Sequence, residues 1–190
     1  MRNYNEIIQN DIPSEAAPML DKLEAKYGYV PNVTRGMAAA PEVLSGYISL
    51  SNAFEESSLS KEEQQIVLLT ASRFNECGYC TSVHSVTAEK AGLDWDTIEK
   101  IRNREKISNE RYEMLRRFTE TVTESKGSVP RDMQTAFQDA GFTTQNALDV
   151  ILGVSLKTLT NSTNHLIETP LDEQFQKRAW SPADAEPAFA

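Results

Sequence analysis

Long apolar runs are missing from this sequence. No uninterrupted apolar stretch approaches the eighteen or so residues needed to cross a bilayer, and the N-terminal MRNYNEIIQNDIPSEAAP lacks an apolar h-region. Basic residues are in short supply too: 19 Lys and Arg face 28 Asp and Glu, the formal charge is -9, and there is no dense Lys/Arg run. Such a surface repels phosphate backbones and anionic lipid, so neither nucleic acid nor membrane is expected as a partner, and the reading is of a cytoplasmic protein. Strand signals are also absent. With two cysteines in the chain, a disulfide framework is excluded, and in a reducing compartment a cysteine pair is more often catalytic or metal-binding than architectural.

What is present suits an ordinary globular core, with 39% hydrophobic and 25% charged residues. A chain of 190 residues buries about 70% of its unfolded surface and needs no staple. SKEEQQIVLLTASRF opens with a capping box, Ser60 and Glu63, and predicts a helix over 61–75. Pro41 starts a second helix, carrying Val43, Leu44, Tyr47 and Leu50 at helical spacing. Ser108 is the candidate cap of a helix that stops at Gly127, Asp94 caps another, and Pro130 and Gly141 frame a short one. The longest begins at Thr143 or Thr144 and runs toward Pro170. These signals predict an all-α bundle of roughly seven to nine helices in one domain over 1–180, with SPADAEPAFA, 181–190, as a C-terminal arm.

The chemistry concentrates in NECGYCTSVH, where both cysteines, Cys77 and Cys80, precede His84, one of only two histidines. Asn75, Glu76 and Gly78 interrupt one helix and a new one starts at Cys77, so both thiols sit in a first turn, where free N–H groups and the helix dipole favour a thiolate. A drop in thiol pKa from about 8.5 to about 7 would raise the thiolate fraction at neutral pH from roughly 3% to half. Closing a loop of about four residues as a structural bond would gain only about 2 kcal/mol. A zinc reading needs Cys77, Cys80, His84 and His165 together, but a second C-x-x-C is missing. Covalent haem attachment needs histidine where Thr81 stands. Neither metal nor cofactor is expected.

Two small, buried, inert cysteines that happen to be neighbours are the plain alternative, though Gly78 and Tyr79 between them mark a turn rather than core; the other reading is a redox pair. His84 lies four residues beyond Cys80, putting their Cβ atoms about 5–6 Å apart on one helix face, whereas Cys77 lies about 10 Å along the axis from it. The imidazole can then act as a base toward Cys80, directly or through one water. The helix terminus favours Cys77 as the thiolate and the histidine favours Cys80, which leaves the choice open.

The stretches LSKEEQQIVLLTASRFNECGYCTSVHSVTAEKAGL, YGYVPNVTRGMAAAPEVL and VILGVSLKTLTNSTNHLIETPLD resemble the carboxymuconolactone decarboxylase-like superfamily, in its alkylhydroperoxidase-D-like branch. That resemblance implies a bundle of the alkylhydroperoxidase-D-like type that forms homo-oligomers, and a peroxidase cycle acting on a hydroperoxide. In it Cys80 attacks the peroxide, Cys77 resolves the sulfenic acid as a disulfide, His84 relays protons, and a disulfide reductant restores both thiols. The family usually has a glutamate twelve positions before the first cysteine, where this chain has Gln65. A glutamine orients an imidazole but exchanges no proton with it, so Glu62, one turn earlier, is a candidate substitute. The rival readings are a thiol-disulfide oxidoreductase or redox sensor without peroxidase turnover, and a carboxymuconolactone-type decarboxylase. His165 either lines the thiol pocket or makes a capping contact, Tyr79 either covers the cysteines or packs, and Trp95 and Trp180 read as core or interface anchors.

Overall fold

The computed structural model describes residues 3–184, which hold ten α-helices and no strand. They are α1 (Tyr4–Asn10), α2 (Ala17–Tyr27), α3 (Asn32–Met37), α4 (Pro41–Glu55), α5 (Lys61–Phe74), α6 (Gly78–Ala91), α7 (Trp95–Asn103), α8 (Glu110–Glu124), α9 (Arg131–Asp139) and α10 (Thr144–Ile167). Short 3-10 turns cover Ser14–Ala16, Glu173–Arg178 and Pro182–Asp184. The count exceeds the seven to nine expected because α1 and α3, of seven and six residues, are too short to show a hydrophobic period. Tertiary packing and, in α1, an Asn3–Glu6 capping box hold them instead. Of the expected C-terminal arm, residues 181–184 continue the C-terminal segment and 185–190 lie outside the described residues.

Caps set most boundaries where the sequence puts them. Ser60 and Glu63 form the capping box of α5, Asp94 accepts from Thr97 N, and Thr143 forms a capping box with Asn146 at the start of α10. The cap of α8 is Asn109, which accepts from the amides of Arg111 and Tyr112; the neighbouring Ser108 hydroxyl takes a hydrogen bond from Lys100 instead. Asparagine outcompetes an adjacent serine because its longer side chain reaches two orphan amides at once.

Helix α5 is the central element, with Ile66 through Ala71 all buried, and it packs on α6, α7, α8 and α10. On its far side Phe118, Phe137 and Phe142 stack at centroid distances of 3.8 and 4.3 Å, tying α9 to α8. Helix α10 crosses α4 and α5 at Gly153, where a Cβ would come within 2.7 Å of the Phe54 ring and of Val67 Cγ1. The missing side chain lets the helix lie close, and its next turn carries Lys157 toward the middle of the bundle. Gly153→Ala is therefore expected to destabilise the fold by about 1–3 kcal/mol through overpacking, despite alanine's better helix propensity, as read by urea unfolding.

Candidate active site

The chain turns from α5 into α6 in three residues. Asn75 caps α5, Glu76 takes a left-handed φ of 55°, and Cys77 becomes the N-cap of α6, its sulfur accepting from Cys80 N at 3.4 Å. Cys80 is thus the third residue of the helix. Both cysteines are free and buried, 1% and 3% exposed.

The first turn of α6 is closed from outside by the C-terminal segment. A Cβ on Gly78 would meet the Trp180 carbonyl oxygen at 2.9 Å, so glycine is what lets that strand of backbone pass. Trp180 N donates to Ser82 Oγ at 2.9 Å, and the Arg73 guanidinium lies over the Trp180 ring at 4.8 Å. Trp95 sits under Arg178 at 3.6 Å, so both tryptophans anchor this segment. Tyr79, between the cysteines, donates to Asp172 Oδ2 at 2.5 Å while Asp172 Oδ1 accepts from Asn32 N at 3.0 Å. Burial, with the Asp172 bond next, pushes the Tyr79 hydroxyl far up.

Four residues of α10, Lys157, Thr160, Asn161 and Asn164, form a buried polar stripe facing the cysteines. Asn164 Nδ2 donates to Cys80 Sγ at 3.2 Å and lies 3.8 Å from Cys77 Sγ. Thr160 Oγ1 is 3.9 Å from Cys80 Sγ. Asn161 accepts from the Asn75 side chain at 2.9 Å, pinning α10 to the turn. Lys157 is 4% exposed and its ammonium reaches His84 Nε2 at 2.9 Å. An ammonium only donates, so Nε2 is the acceptor and the ring proton sits on Nδ1, which donates to Gln65 Oε1 at 3.1 Å. Thr87 Oγ1 donates to the same oxygen at 2.8 Å.

These contacts fix the charges. Burial alone would raise the Cys80 thiol, but the Cys77 hydrogen bond, the Lys157 charge and hydrogen bond, and Thr160 outweigh it and hold Cys80 well below the ordinary thiol value. Sharing its proton with Cys80, and then burial, pushes Cys77 far above that value. One proton between two sulfurs thus rests on Cys77. Burial and then Lys157 hold His84 well below the usual imidazole range, so the ring is neutral at physiological pH.

Cys80, His84 and Gln65 come together on the wall of one cavity of about 380 Å³, which Lys157 and Thr160 also line. The rest of its wall mixes aromatic side chains, among them Tyr29, Tyr47, Phe54 and Phe175, with polar and charged ones such as Gln64, Glu55 and Lys90. Cys77 lies behind Cys80, off the cavity. His84 stands on that wall with both ring nitrogens engaged, Nε2 by Lys157 and Nδ1 by Gln65. The carboxylate of Glu62 accepts from Ser60 Oγ at 3.0 Å, outside this cavity. His165 is exposed and donates to the Asn75 carbonyl at 2.9 Å, the capping alternative, and so does not line the thiol pocket. Among the described residues no group of three or more His, Cys, Asp and Glu is placed to hold a metal ion, so Cys77, Cys80, His84 and His165 do not form a zinc set. No helix of the described residues is long and apolar enough to cross a membrane. Lys157 and Asn164 escaped the sequence reading; their signal is polar residues at 157, 160, 161 and 164, helical spacing, inside an otherwise apolar helix.

The profile of the carboxymuconolactone decarboxylase family matches residues 41–105, from the start of α4 past the end of α7. The chain is similar to that family over these residues. Its fold is shared with a peroxidase-related protein from Silicibacter sp. TM1040 (20% identity, TM-score 0.77, 90% of this chain and 92% of that one). The alkylhydroperoxidase-D core of a peroxidase-related protein from Ralstonia eutropha JMP134 is similar at 21% identity and TM-score 0.78, over 86% and 88% of the two chains. The debrominase Bmp8, solved with 2,3,4-tribromopyrrole, is similar at 13% identity and TM-score 0.73, over 87% and 89%. None of the curated proteins compared matches the chain. The family region brings Gln65, the cysteine pair and His84, whereas Lys157, Thr160 and Asn164 come from α10, outside it.

A depressed thiol keeps its anion down to its own pKa and loses it as pH falls further, so Cys80 alkylation by iodoacetamide should stay fast well below pH 8.5. In Lys157→Met the burial that favours the neutral thiol is less opposed, and the apparent pKa read from the same rate profile should rise.

Proposed function

We propose that the protein is a thiol peroxidase that reduces an organic hydroperoxide through Cys80 and Cys77. What carries this reading is a sulfur, Cys80, on the wall of a cavity that buried Lys157 also lines, where the lysine charge favours the thiolate, with the second thiol, Cys77, in the same turn and off the cavity. That is an activated nucleophile, a proton donor and a resolving thiol in one place.

The Cys80 thiolate attacks the terminal peroxide oxygen. An S–O bond forms, the O–O bond breaks, and the alkoxide leaves with the electron pair and takes a proton from Lys157 Nζ. Cys80 is then a sulfenic acid beside the Cys77 thiol, and the two condense to a disulfide. Lys157, now an amine, takes the Cys77 proton and passes it to the departing hydroxide, which leaves as water. His84 acts as a positioning residue: its neutral ring holds the lysine by Nε2 and is itself held by Gln65 through Nδ1. In this scheme a glutamine serves where the family has a glutamate, because the oxygen is needed as an acceptor and the proton is delivered by the lysine. The tyrosine and phenylalanine side chains on that wall suit an apolar organic group on the peroxide.

Cumene hydroperoxide with dithiothreitol should support turnover that Cys80→Ser abolishes. With no thiol reductant present, Cys77→Ser should consume one equivalent of hydroperoxide and leave a dimedone-reactive sulfenic acid. Lys157→Met should lower the rate of the oxidation step by on the order of 10²-fold, the usual scale for a lost proton donor or charge partner. Wild-type protein that forms its disulfide but consumes no hydroperoxide would overturn this reading in favour of a thiol-disulfide oxidoreductase or sensor.

A further inference from the structure

The cycle proposed above ends with a Cys77–Cys80 disulfide that needs two electrons from outside, and the following rests on that reading. The two sulfurs differ in who can reach them. Among the described residues that line the cavity, Cys80 is present and Cys77 is not. The outer face of the C-x-x-C turn is shut by residues 171–181. Leu171 packs into the cluster that holds both cysteines, and the Trp180 carbonyl oxygen leaves no room for a Cβ on Gly78. The segment is held at several further points: Trp180 N to Ser82, Arg102 to the carbonyls of Arg178 and Ala179 at 3.3 Å each, and Arg178 to Glu89 at 2.9 Å. Behind the sulfurs stands α10, with Asn164 against both.

A folded dithiol protein presents its nucleophilic sulfur on a convex surface and must bring it into line with the target S–S bond. Neither closed face of the turn admits that approach. A cavity of about 380 Å³ admits a small molecule, and it leads to Cys80. We infer that the dithiol is regenerated from the disulfide by a low-molecular-weight thiol that enters by the peroxide's own cavity and attacks Cys80 Sγ, expelling Cys77.

The first thiolate forms an S–S bond to Cys80 as the Cys77–Cys80 bond breaks, and the electron pair leaves on Cys77 Sγ. That charge is met by Cys80 N–H at 3.4 Å and Asn164 Nδ2 at 3.8 Å until the sulfur is protonated. A second thiolate then attacks the small-molecule sulfur, releasing its disulfide and the Cys80 thiolate. The two protons that arrived with the thiols end on Cys77 Sγ and Lys157 Nζ, which restores the resting state. Leaving-group preference alone would direct attack to Cys77, since the more acidic thiol departs faster; the closed faces reverse that order by access.

The test starts from protein oxidised with diamide, without peroxide, and verified by the loss of two hydrogens in the intact mass. Its reduction is followed with reduced glutathione, with L-cysteine, and with thioredoxin kept reduced by its reductase and NADPH. The small thiols are expected to reduce the bond at least about tenfold faster per thiol than thioredoxin does, an inversion of their ordinary order of reactivity. Faster reduction by thioredoxin overturns the inference. Independently, oxidised glutathione should form a mixed disulfide on Cys80 in Cys77→Ser, while Cys77 in Cys80→Ser stays unmodified; equal modification of Cys77 overturns it as well. If diamide forms no disulfide, both this inference and the catalytic cycle fall. If the disulfide forms and small thiols reduce it while hydroperoxide is not consumed, the peroxidase reading falls and the route of reduction stands.

Discussion

The pull of a buried lysine ammonium on the charge of a cysteine sulfur is the interaction on which the site depends. An ammonium taken out of water costs several kcal/mol unless its protons are satisfied, and a thiolate at the same depth is no cheaper. Each removes the other's penalty. With the sulfur anionic and the lysine cationic, the adjoining imidazole is neutral, its Nε2 is an acceptor, and its remaining proton points to Gln65. The tautomer, the glutamine orientation and the location of the single thiol proton all follow from that charge.

Holding this pair demands that α10 be placed closely against α6. The close crossing at Gly153 draws it toward α4 and α5, and two bonds to Asn75, from Asn161 and His165, fasten it to the turn that presents the cysteines. The site is consequently composite. A helix pair matching the family profile supplies the thiols, the histidine and the glutamine, and a helix outside that region supplies the charge that sets their protonation.

Much of the architecture was legible because caps and periods are local. Ser60 with Glu63, Asp94 and Thr143 mark helix starts by chemistry that operates within three or four residues, and Cys77 to His84 declares a helix entrance with a reactive pair. What sequence reasoning could not supply was the direction of α10. Neighbouring residues on a helix point about 100° apart, so reading one position off changes the face. His165 attracted attention as a rare histidine and faces outward, while Asn164 beside it touches both sulfurs. A lone lysine such as Lys157 announces nothing by itself; its place on the same stripe as Asn146, Val150 and Gly153 gives it away, and that stripe is known to be buried once the fold is seen. The same one-residue ambiguity moved the cap of α8 from Ser108 to Asn109.

Cys77 has a second occupation as the helix cap of α6, and this bears on the thermodynamic poise of the couple. In the dithiol form its sulfur accepts the Cys80 amide at 3.4 Å and the Cys80 sulfur accepts from Asn164 at 3.2 Å. In the cycle proposed above, bonds of this kind favour the reduced side of the couple, which raises its midpoint potential and makes the oxidised form a ready electron acceptor wherever reducing equivalents can get in.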